Sequence, residues 1–385
     1  MLLIRNAVVY APNPLGKKDI LIGGKRILAI SEKIDIPKGL EIEIFDAEGL
    51  LIVPGLIDNH VHIAGAGGEG GPSTRTPELA LSKMFEGGVT TVIGCLGTDG
   101  LTRSVEGVLM KAKSLRSEGA SAWIWTGAYQ VPTPTITGDA GRDIALIEEI
   151  IGVGELAISD HRSSCPSSGE LIRITALARV GGMLGKKAGL VNIHLGDAIN
   201  PFMPLHEVVN NSELKYTQFL PTHCNRNSYI FEDSKTYGKK GYIDITTSSW
   251  PYFQDEEIKP STALRLLLEA GVPEGHITFS SDSCGSLPGF DNQGRLVKLE
   301  MGLPSANLRE LADCVLTEKL TLETSLRVLT SNVASILKLP GKGFISTGMD
   351  ADLLFLDPEM KMIHLLAMGE WVARDGQVIK KGAYE

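Results

Sequence analysis

The spacing of apolar residues divides the chain into three segments, and the changes fall near residues 55 and 340. The first 54 residues carry short apolar runs separated by Gly and Pro turns, which is typical of β-strands. From residue 55, strand-like runs alternate with segments of helical period, as they do in parallel βα units. Beyond Pro340-Gly341 the pattern returns to strands alone. Both ends of the chain are therefore predicted to be β, with an α/β region between them.

The α/β region contains eight strand-like runs separated by helical stretches. Eight βα units in about 250 residues are what a (β/α)8 TIM barrel requires. We therefore predict an α/β fold, with a barrel over 55–340 and a small β-sandwich domain formed by 1–54 plus 341–385. The eight runs are 56–62, 89–96, 122–129, 155–161, 190–195, 219–223, 242–246 and 276–281.

Composition narrows the classes of protein to which the chain can belong. With 37 basic and 46 acidic residues the net charge is −9, and the sequence has no basic run to meet phosphates, so we expect no nucleic-acid partner. No apolar stretch approaches the ~18 residues of a membrane span, so we expect no membrane partner. The five cysteines show no pairing pattern, which favours reduced thiols and a cytoplasmic location.

Two histidines, His60 and His62, end the first run of the predicted barrel. Residues i and i+2 of a strand point to the same side, so both imidazoles should converge on one point. Neutral imidazoles in that arrangement are natural ligands of a divalent transition metal. Alone the H-x-H pair is a weak signal, and two ordinary polar residues at a strand end would give the same pattern.

Three further residues that suit a metal end later strand-like runs, namely His194, His223 and Asp282. The carboxyl ends of the strands form the face on which barrel enzymes build their sites. Any one of the three could be a satisfied polar residue. Because they occupy equivalent positions on separate strands, we predict that they share a metal site with the first histidine pair.

These histidines and Asp282 resemble the metal ligands of the amidohydrolase superfamily. The segment Pro54-Gly55-Leu56-Ile57-Asp58, which precedes His60, also resembles the corresponding segment of those proteins. The tail at 343–353 resembles the segment with which those proteins re-enter their small β domain. The strand-end loops resemble, more narrowly, the isoaspartyl (β-aspartyl) dipeptidase family, and the resemblance runs over nearly the whole chain. The loops that carry it are 65–72, 97–99, 126–129, 157–163 and 221–227.

One residue departs from the pattern of that family. Its best-known members bridge two metals with a carboxylated lysine at the end of the fourth strand, where this chain has Glu155. A glutamate is also a bidentate anion, and some superfamily members, including sugar-phosphate deacetylases, use one as a ligand. A surface glutamate beside a one-metal site is the alternative. The resemblance implies two divalent ions, with zinc as the favoured metal. Their ligands would be His60, His62, Glu155, His194, His223 and Asp282.

The resemblance also implies a reaction, the hydrolysis of the β-aspartyl amide bond of an isoaspartyl dipeptide. A metal-bridging water would attack the amide carbonyl, with Asp282 as general base and then general acid. Tyr129 would donate a hydrogen bond to the developing oxyanion. On its own, Tyr129 could equally be a core tyrosine, although its place at a strand end favours the functional role.

A β-aspartyl dipeptide carries one amine and two carboxylates, so its pocket needs both kinds of charge. Glu69 is the candidate for the amine, and Arg162 and Arg226 suit bidentate capture of carboxylates. Surface salt bridges are the alternative for the two arginines. By resemblance, the remaining substrate contacts come from Gly67, Thr98 and Ser286.

Two other functions stay open at this point. Another amidohydrolase, either a deacetylase or a cyclic-amide hydrolase, is the nearer alternative, and Glu155 slightly favours the deacetylase. A non-catalytic scaffold that kept the fold is the more distant alternative, and the competent residue at every expected ligand position argues against it. For partners, the family resemblance implies a small dipeptide substrate and a homo-oligomer such as an octamer.

Overall fold

The structure is a computed structural model that describes residues 1–36, 39, 41–290, 293 and 295–385. Strands and α-helices alternate through the middle of the chain, and strands alone occupy both ends. The strands are β1 (Leu2–Tyr10), β2 (Pro14–Gly23), β3 (Arg26–Ser31), β4 (Glu43–Asp46), β5 (Leu51–Pro54), β6 (Leu56–Val61), β7 (Val89–Gly94), β8 (Ser121–Thr126), β9 (Ile150–Ile158), β10 (Leu190–Leu195), β11 (Phe219–Thr222), β12 (Ile243–Thr246), β13 (Ile277–Ser280), β14 (Ser286–Phe290), β15 (Leu296–Met301), β16 (Leu353–Leu356), β17 (Met362–Ala367), β18 (Glu370–Arg374) and β19 (Gln377–Val378). The helices are α1 (Leu81–Glu86), α2 (Val105–Ser117), α3 (Ala140–Leu146), α4 (Ser168–Gly185), α5 (Met203–Asn210), α6 (Ser228–Tyr237), α7 (Pro260–Glu269), α8 (Ser305–Leu316), α9 (Leu322–Arg327) and α10 (Ser331–Ile336).

Strands from both ends of the chain form one sheet, in the order β19-β18-β17-β16-β5-β1-β2-β3, with β4 also paired to β1. The two ends meet at β5, which pairs parallel with β1 and antiparallel with β16. Alternate side chains of these strands pack into a shared core that includes Ile4, Ile52 and Phe355, all fully buried. Strands of both termini thus share one sheet, whereas the small β-sandwich domain and its bounds stay predictions.

The middle of the chain forms a curled parallel sheet with helices between its strands. Six strands follow one another in the order β11-β10-β9-β8-β7-β6, and β12 pairs parallel with β13. Backbone hydrogen bonds join these two groups. The Cys224 N–H donates to the Asp244 carbonyl (3.1 Å), and the Asp282 N–H donates to the His60 carbonyl (3.1 Å), which brings the end of β13 back to β6. The carboxyl ends of the strands therefore meet on one face.

Helix α4 shows how the helices hold that sheet. A reciprocal capping box between Ser167 and Glu170 starts the helix. Buried residues then recur at helical spacing through Leu171, Ile174 and Ala178, and this face packs on β9 and β10. In the described part of the chain, no helix is long and apolar enough to cross a membrane.

An antiparallel hairpin, β14 and β15, follows the eighth parallel strand and is absent from the strand-like runs that the sequence pattern predicts. Its first strand begins at Ser286, four residues after Asp282. Pro288 and Gly289 interrupt the apolar alternation there, which conceals the strand in the sequence. The hairpin places Ser286, Leu287 and Pro288 on one wall of the cavity described next.

Candidate active site

The carboxyl ends of the parallel strands surround a cavity of about 310 Å³. Of the thirteen residues that the sequence singles out, twelve line this cavity. The exception is His60, which is fully buried beside it. The residues that line the cavity are His62, Gly67, Glu69, Thr98, Tyr129, Glu155, Arg162, His194, His223, Arg226, Asp282 and Ser286.

The first histidine pair converges as strand alternation predicts. His60 lies on β6 and His62 follows its last residue, and the centroids of their rings are 5.5 Å apart. The Nε2 atom of His60 is 3.4 Å from Glu155 Oε2, while the Nε2 atom of His62 is 3.1 Å from Asp282 Oδ1. Both imidazoles therefore present a nitrogen to the same carboxylates.

Glu155, on β9, lies between the two pairs of histidines. Its Oε1 atom is 2.7 Å from His194 Nδ1 and 3.3 Å from His223 Nε2. Its other oxygen, Oε2, faces His60 and His62, at 3.4 and 3.9 Å from their Nε2 atoms. The alternative of a surface glutamate is wrong, because the residue is fully buried. Each of its oxygens serves a different histidine pair, which is the arrangement that a bridging carboxylate needs.

The cluster fits a divalent metal by its chemistry. Glu155 Oε2 and Asp282 Oδ1 are buried atoms that accept no hydrogen bond of good geometry from the described residues, although an imidazole nitrogen lies 3.4 and 3.1 Å from them, respectively. Buried anions are tolerated when they are paired or bind a metal, and imidazole and carboxylate donors suit zinc. Two groups of ligand atoms, each within 4.8 Å of one another, share Glu155. They are His60, His62, Cys95 and Glu155, and Glu155, His194 and His223.

Two of these residues leave their strands in an uncommon backbone conformation. His223 has φ = 63° and Asp282 has φ = 54°, in the left-handed region that non-glycine residues rarely adopt. Such a conformation costs roughly 1–3 kcal/mol and persists where the surrounding structure enforces it, often at functional sites. For His223, the Thr246 hydroxyl lies 2.7 Å from Nδ1, which leaves Nε2 to face Glu155.

The carboxylates and imidazoles of the cluster shift one another's pKa values. Burial opposes protonation of His60 and His62, but nearby acidic groups outweigh it and raise both pKa values well above the usual imidazole range. Burial likewise opposes ionisation of Glu155, and the histidines overcome it and hold the pKa of that carboxyl well below its usual range. By contrast, burial lowers the pKa of His223 to about 4. A neutral imidazole is the form that binds a metal.

The cavity next to the cluster is also lined by polar side chains that could bind a substrate, among them one tyrosine and two arginines. The Tyr129 hydroxyl is 2.8 Å from His194 Nδ1, so this tyrosine belongs to the site and is not merely a core residue. The Arg162 guanidinium lies over the Tyr129 ring and donates to Asp160 through Nε (3.0 Å) and Nη2 (2.9 Å). Arg226 donates from Nη1 to the Leu195 carbonyl (3.2 Å). Both arginines line the cavity, as the sequence predicts.

Three residues of the site escaped the sequence analysis. Asp160 is buried, and besides accepting from Arg162 it places Oδ2 3.0 Å from His194 Nε2. Cys95 directly follows β7, and its Sγ atom is 3.6 Å from His60 Nε2. Both occupy strand ends, the same signal that identified the histidines. Glu257, in a loop that lines the cavity, carries no such signal, and burial raises its pKa to about 7.

Comparison with known proteins identifies relatives at two levels of similarity. No protein-family model matches the chain. The crystal structure of a β-aspartyl dipeptidase from Fervidobacterium islandicum AW-1, in complex with a β-Asp-Leu dipeptide, shares 43% sequence identity over 98% of this chain and 97% of that chain, with a TM-score of 0.92. The dihydropyrimidinase from Brevibacillus agri NCHU1002 shares the fold alone, at 17% identity, 99% and 96% coverage and a TM-score of 0.66. A curated dihydroorotase from Staphylococcus epidermidis is 34% identical over 161 residues, but the match spans 42% of this chain and only 35% of that protein.

Proposed function

The chain belongs to the β-aspartyl dipeptidase family of the amidohydrolase superfamily, and we propose that it hydrolyses the β-aspartyl amide bond of isoaspartyl dipeptides. One observation carries the proposal. Twelve of the thirteen residues that the sequence singles out line a single cavity, and its lining includes most of a cluster of side chains that fits a metal. Similarity to a structure that contains β-Asp-Leu supports the same substrate class.

We propose that the cluster binds two divalent ions through six residues, with zinc as the favoured metal. When bound, the ions supply a water of lowered pKa and polarise the scissile carbonyl. Glu155 would serve both positions, because one of its oxygens faces each histidine pair. The six ligands are His60, His62, Glu155, His194, His223 and Asp282.

Asp282 is placed to move the proton that hydrolysis requires. Its carboxylate lines the cavity, and Oδ1 lies 3.1 Å from His62 Nε2. Burial opposes its ionisation, but the neighbouring histidines outweigh burial and lower the pKa of Asp282, so the carboxylate is ready to accept a proton at neutral pH. We propose that Asp282 accepts the proton of the attacking water and returns it to the leaving amine. Tyr129, which lines the same cavity, would donate a hydrogen bond to the oxyanion.

Charges around the cavity match those of a β-aspartyl dipeptide. Glu69 Oε1 accepts a hydrogen bond from Thr98 Oγ1 (3.1 Å) and lies 3.6 Å from Arg162 Nη1, so an anion and a cation stand side by side. We propose that Glu69 binds the α-amine, and that Arg162 and Arg226 bind the carboxylates. Gly67, at φ = 74°, lets the loop pack closely, since a Cβ there would lie 2.6 Å from the Thr74 carbonyl.

The finer description of the fold is also a proposal. We infer that the eight parallel strands close into a TIM barrel over 55–340, supported by the backbone bond from Asp282 to His60 and by the fold shared with dihydropyrimidinase. We further infer that 1–54 and 341–385 form a β-sandwich domain.

All five cysteines lie in the described part of the chain and are free, which is consistent with a reducing compartment such as the cytoplasm. Light scattering would test the homo-oligomer that the family resemblance implies.

A substrate panel tests the proposed function. Metal-loaded protein would be assayed against β-Asp-Leu, a hydantoin, dihydroorotate and an N-acetyl sugar phosphate. We expect hydrolysis of β-Asp-Leu with kcat/KM at least about 100-fold above the other three, since a site built for paired polar groups rejects analogues that leave those groups unpaired. Preference for the sugar phosphate or for a cyclic amide would contradict the dipeptidase assignment, and inertness of metal-loaded protein would favour the scaffold.

Removal of one arginine tests substrate binding separately from chemistry. Arg226→Met should raise KM for β-Asp-Leu by about 10- to 100-fold with a smaller change in kcat, because a hydrogen bond to a charged group contributes about 1.5–3 kcal/mol. The matched control is Arg173→Met, on the exposed side of α4. Unchanged KM in Arg226→Met would show that this arginine does not hold a substrate carboxylate.

A pH series tests the role of Glu257. Because its pKa is raised to about 7, this carboxyl is largely neutral at pH 5.5 and charged at pH 8.5. The charged form would compete with a substrate carboxylate for Arg226. We therefore expect KM in the wild type to rise about fivefold from pH 5.5 to pH 8.5, which corresponds to about 1 kcal/mol of binding free energy. Glu257→Gln should abolish most of that rise and leave KM at pH 5.5 unchanged. The same rise in both proteins would assign the pH dependence to another group.

A further inference from the structure

Cys95 is held beside the strand that carries the first histidine pair. It follows β7 directly, and its N–H donates to the carbonyl of Val61 (3.0 Å), the residue between His60 and His62. The side chain is fully buried. Its backbone position is therefore tied to that of the two histidines.

The distances around the thiol are those of neighbouring metal ligands. Cys95 Sγ is 3.6 Å from His60 Nε2, and His60 Nε2 is 3.4 Å from Glu155 Oε2. In a tetrahedral site with zinc–sulfur and zinc–nitrogen bonds of about 2.3 and 2.0 Å, sulfur and nitrogen lie about 3.5 Å apart. One atom from each of Cys95, His60, His62 and Glu155 falls within 4.8 Å of the others.

An unsatisfied atom in the same group points independently to a cation. Glu155 Oε2 is buried without a hydrogen-bond partner among the described residues. The Cys95 thiol donates to the Val61 carbonyl (3.6 Å), and its sulfur also lies 3.6 Å from His60 Nε2 and 3.7 Å from His62 Nδ1, so it faces both imidazoles. Hydrogen bonding within the described residues thus leaves the carboxylate oxygen unexplained, beside a sulfur that contacts both histidines.

We propose that Cys95 is a metal ligand, whose thiolate binds the ion held by His60 and His62. On binding, the S–H bond loses its proton to solvent and a sulfur–metal bond forms. The inference rests on the metal-dependent function proposed above. It makes the two metal positions chemically different, one with a sulfur donor and the other, at His194 and His223, with nitrogen and oxygen donors alone. A sulfur donor favours zinc over manganese or magnesium at the first position.

A neighbouring cysteine provides a matched control. Cys224 directly follows His223 and is also fully buried. Its thiol donates to the Pro221 carbonyl (3.4 Å) and is not among the groups of ligand atoms found in the described residues. Replacement of either cysteine by serine removes one buried sulfur next to a metal histidine, but only Cys95→Ser removes a proposed ligand.

Cobalt substitution reads the sulfur–metal bond directly. Metal-free wild type, C95S and C224S would each be loaded with Co²⁺, and the near-ultraviolet sulfur-to-cobalt charge-transfer band would be recorded together with the cobalt content. We expect the band in the wild type and in C224S and its loss in C95S. We also expect C95S to bind one ion more weakly by over 100-fold, more than loss of an outer-shell partner costs. Cobalt-loaded wild type without the band, or C95S with it, would overturn the proposal.

X-ray absorption of the zinc-loaded wild type gives a second test that needs no variant. The proposal can therefore still be rejected if C95S folds poorly. A sulfur scatterer at about 2.3 Å supports the proposal, and a shell of nitrogen and oxygen alone rejects it. Hydrolysis of β-Asp-Leu is measured on the same sample. An inert protein with a zinc–sulfur bond would reject the proposed function alone, whereas an active protein without that bond would reject the ligand role of Cys95 alone.

Discussion

Asp282→Asn is expected to lower kcat/KM for β-Asp-Leu by at least about 10³-fold, within the range that positioned general acid–base groups contribute. Asparagine keeps the shape of the side chain but cannot accept the proton of the attacking water. The residue is partly buried, and its backbone has the left-handed φ of 54°. A variant of the same shape therefore tests the chemistry with the least disturbance of the backbone.

Metal content decides how that result is interpreted, because Asp282 is also a proposed ligand. Each preparation would be analysed for bound metal, and Asp255→Asn, an exposed change near the cavity-lining Glu256, serves as the control. Loss of turnover with metal retained supports Asp282 as the proton acceptor. Near-normal turnover at full metal content would reject that role.

Glu155→Gln is expected to reduce bound metal from two ions per chain to one or fewer, and turnover by at least about 10³-fold, which corresponds to about 4 kcal/mol. The physical reason is that Glu155 is the one residue shared by both ligand groups found in the described residues. Glutamine preserves its volume in a fully buried position and removes the negative charge. The change should therefore affect both metal positions together.

Glu155→Asp is the matched comparison, because it keeps the charge and shortens the reach. We expect it to retain more metal than Glu155→Gln. Two ions in the glutamine variant would show that Glu155 is not the bridge. One zinc per chain in saturated wild type would reject the bridged two-metal site altogether.

The positions of the metal residues could be predicted from sequence because a simple geometric rule governs them. In a parallel sheet the carboxyl ends of the strands share one face, so polar residues that end strands converge even when they are far apart in sequence. His60 and Asp282, separated by more than two hundred residues, illustrate the rule, since their backbones are hydrogen bonded. Family resemblance then gave Glu155 its place, which strand position alone did not.

The strand-end positions of Cys95 and Asp160 are visible in the sequence, but their contacts with the histidines are not. Cys95 approaches His60 only because its N–H pairs with Val61, which is a matter of register between β6 and β7. Asp160 places Oδ2 3.0 Å from His194 Nε2 because β9 and β10 pair side by side, although the two residues are 34 positions apart in sequence. The β14–β15 hairpin was missed because Pro288 and Gly289 break the alternation on which the prediction of strands relies.

The most direct test of metal-dependent isopeptide hydrolysis is the rate of leucine release from β-Asp-Leu as one preparation is stripped of metal and then reloaded with zinc. We expect the activity to disappear with the metal and to return with it, while α-Asp-Leu stays uncleaved throughout. Equal cleavage of β-Asp-Leu before and after verified metal removal, or no cleavage by the zinc-loaded protein, would contradict this function.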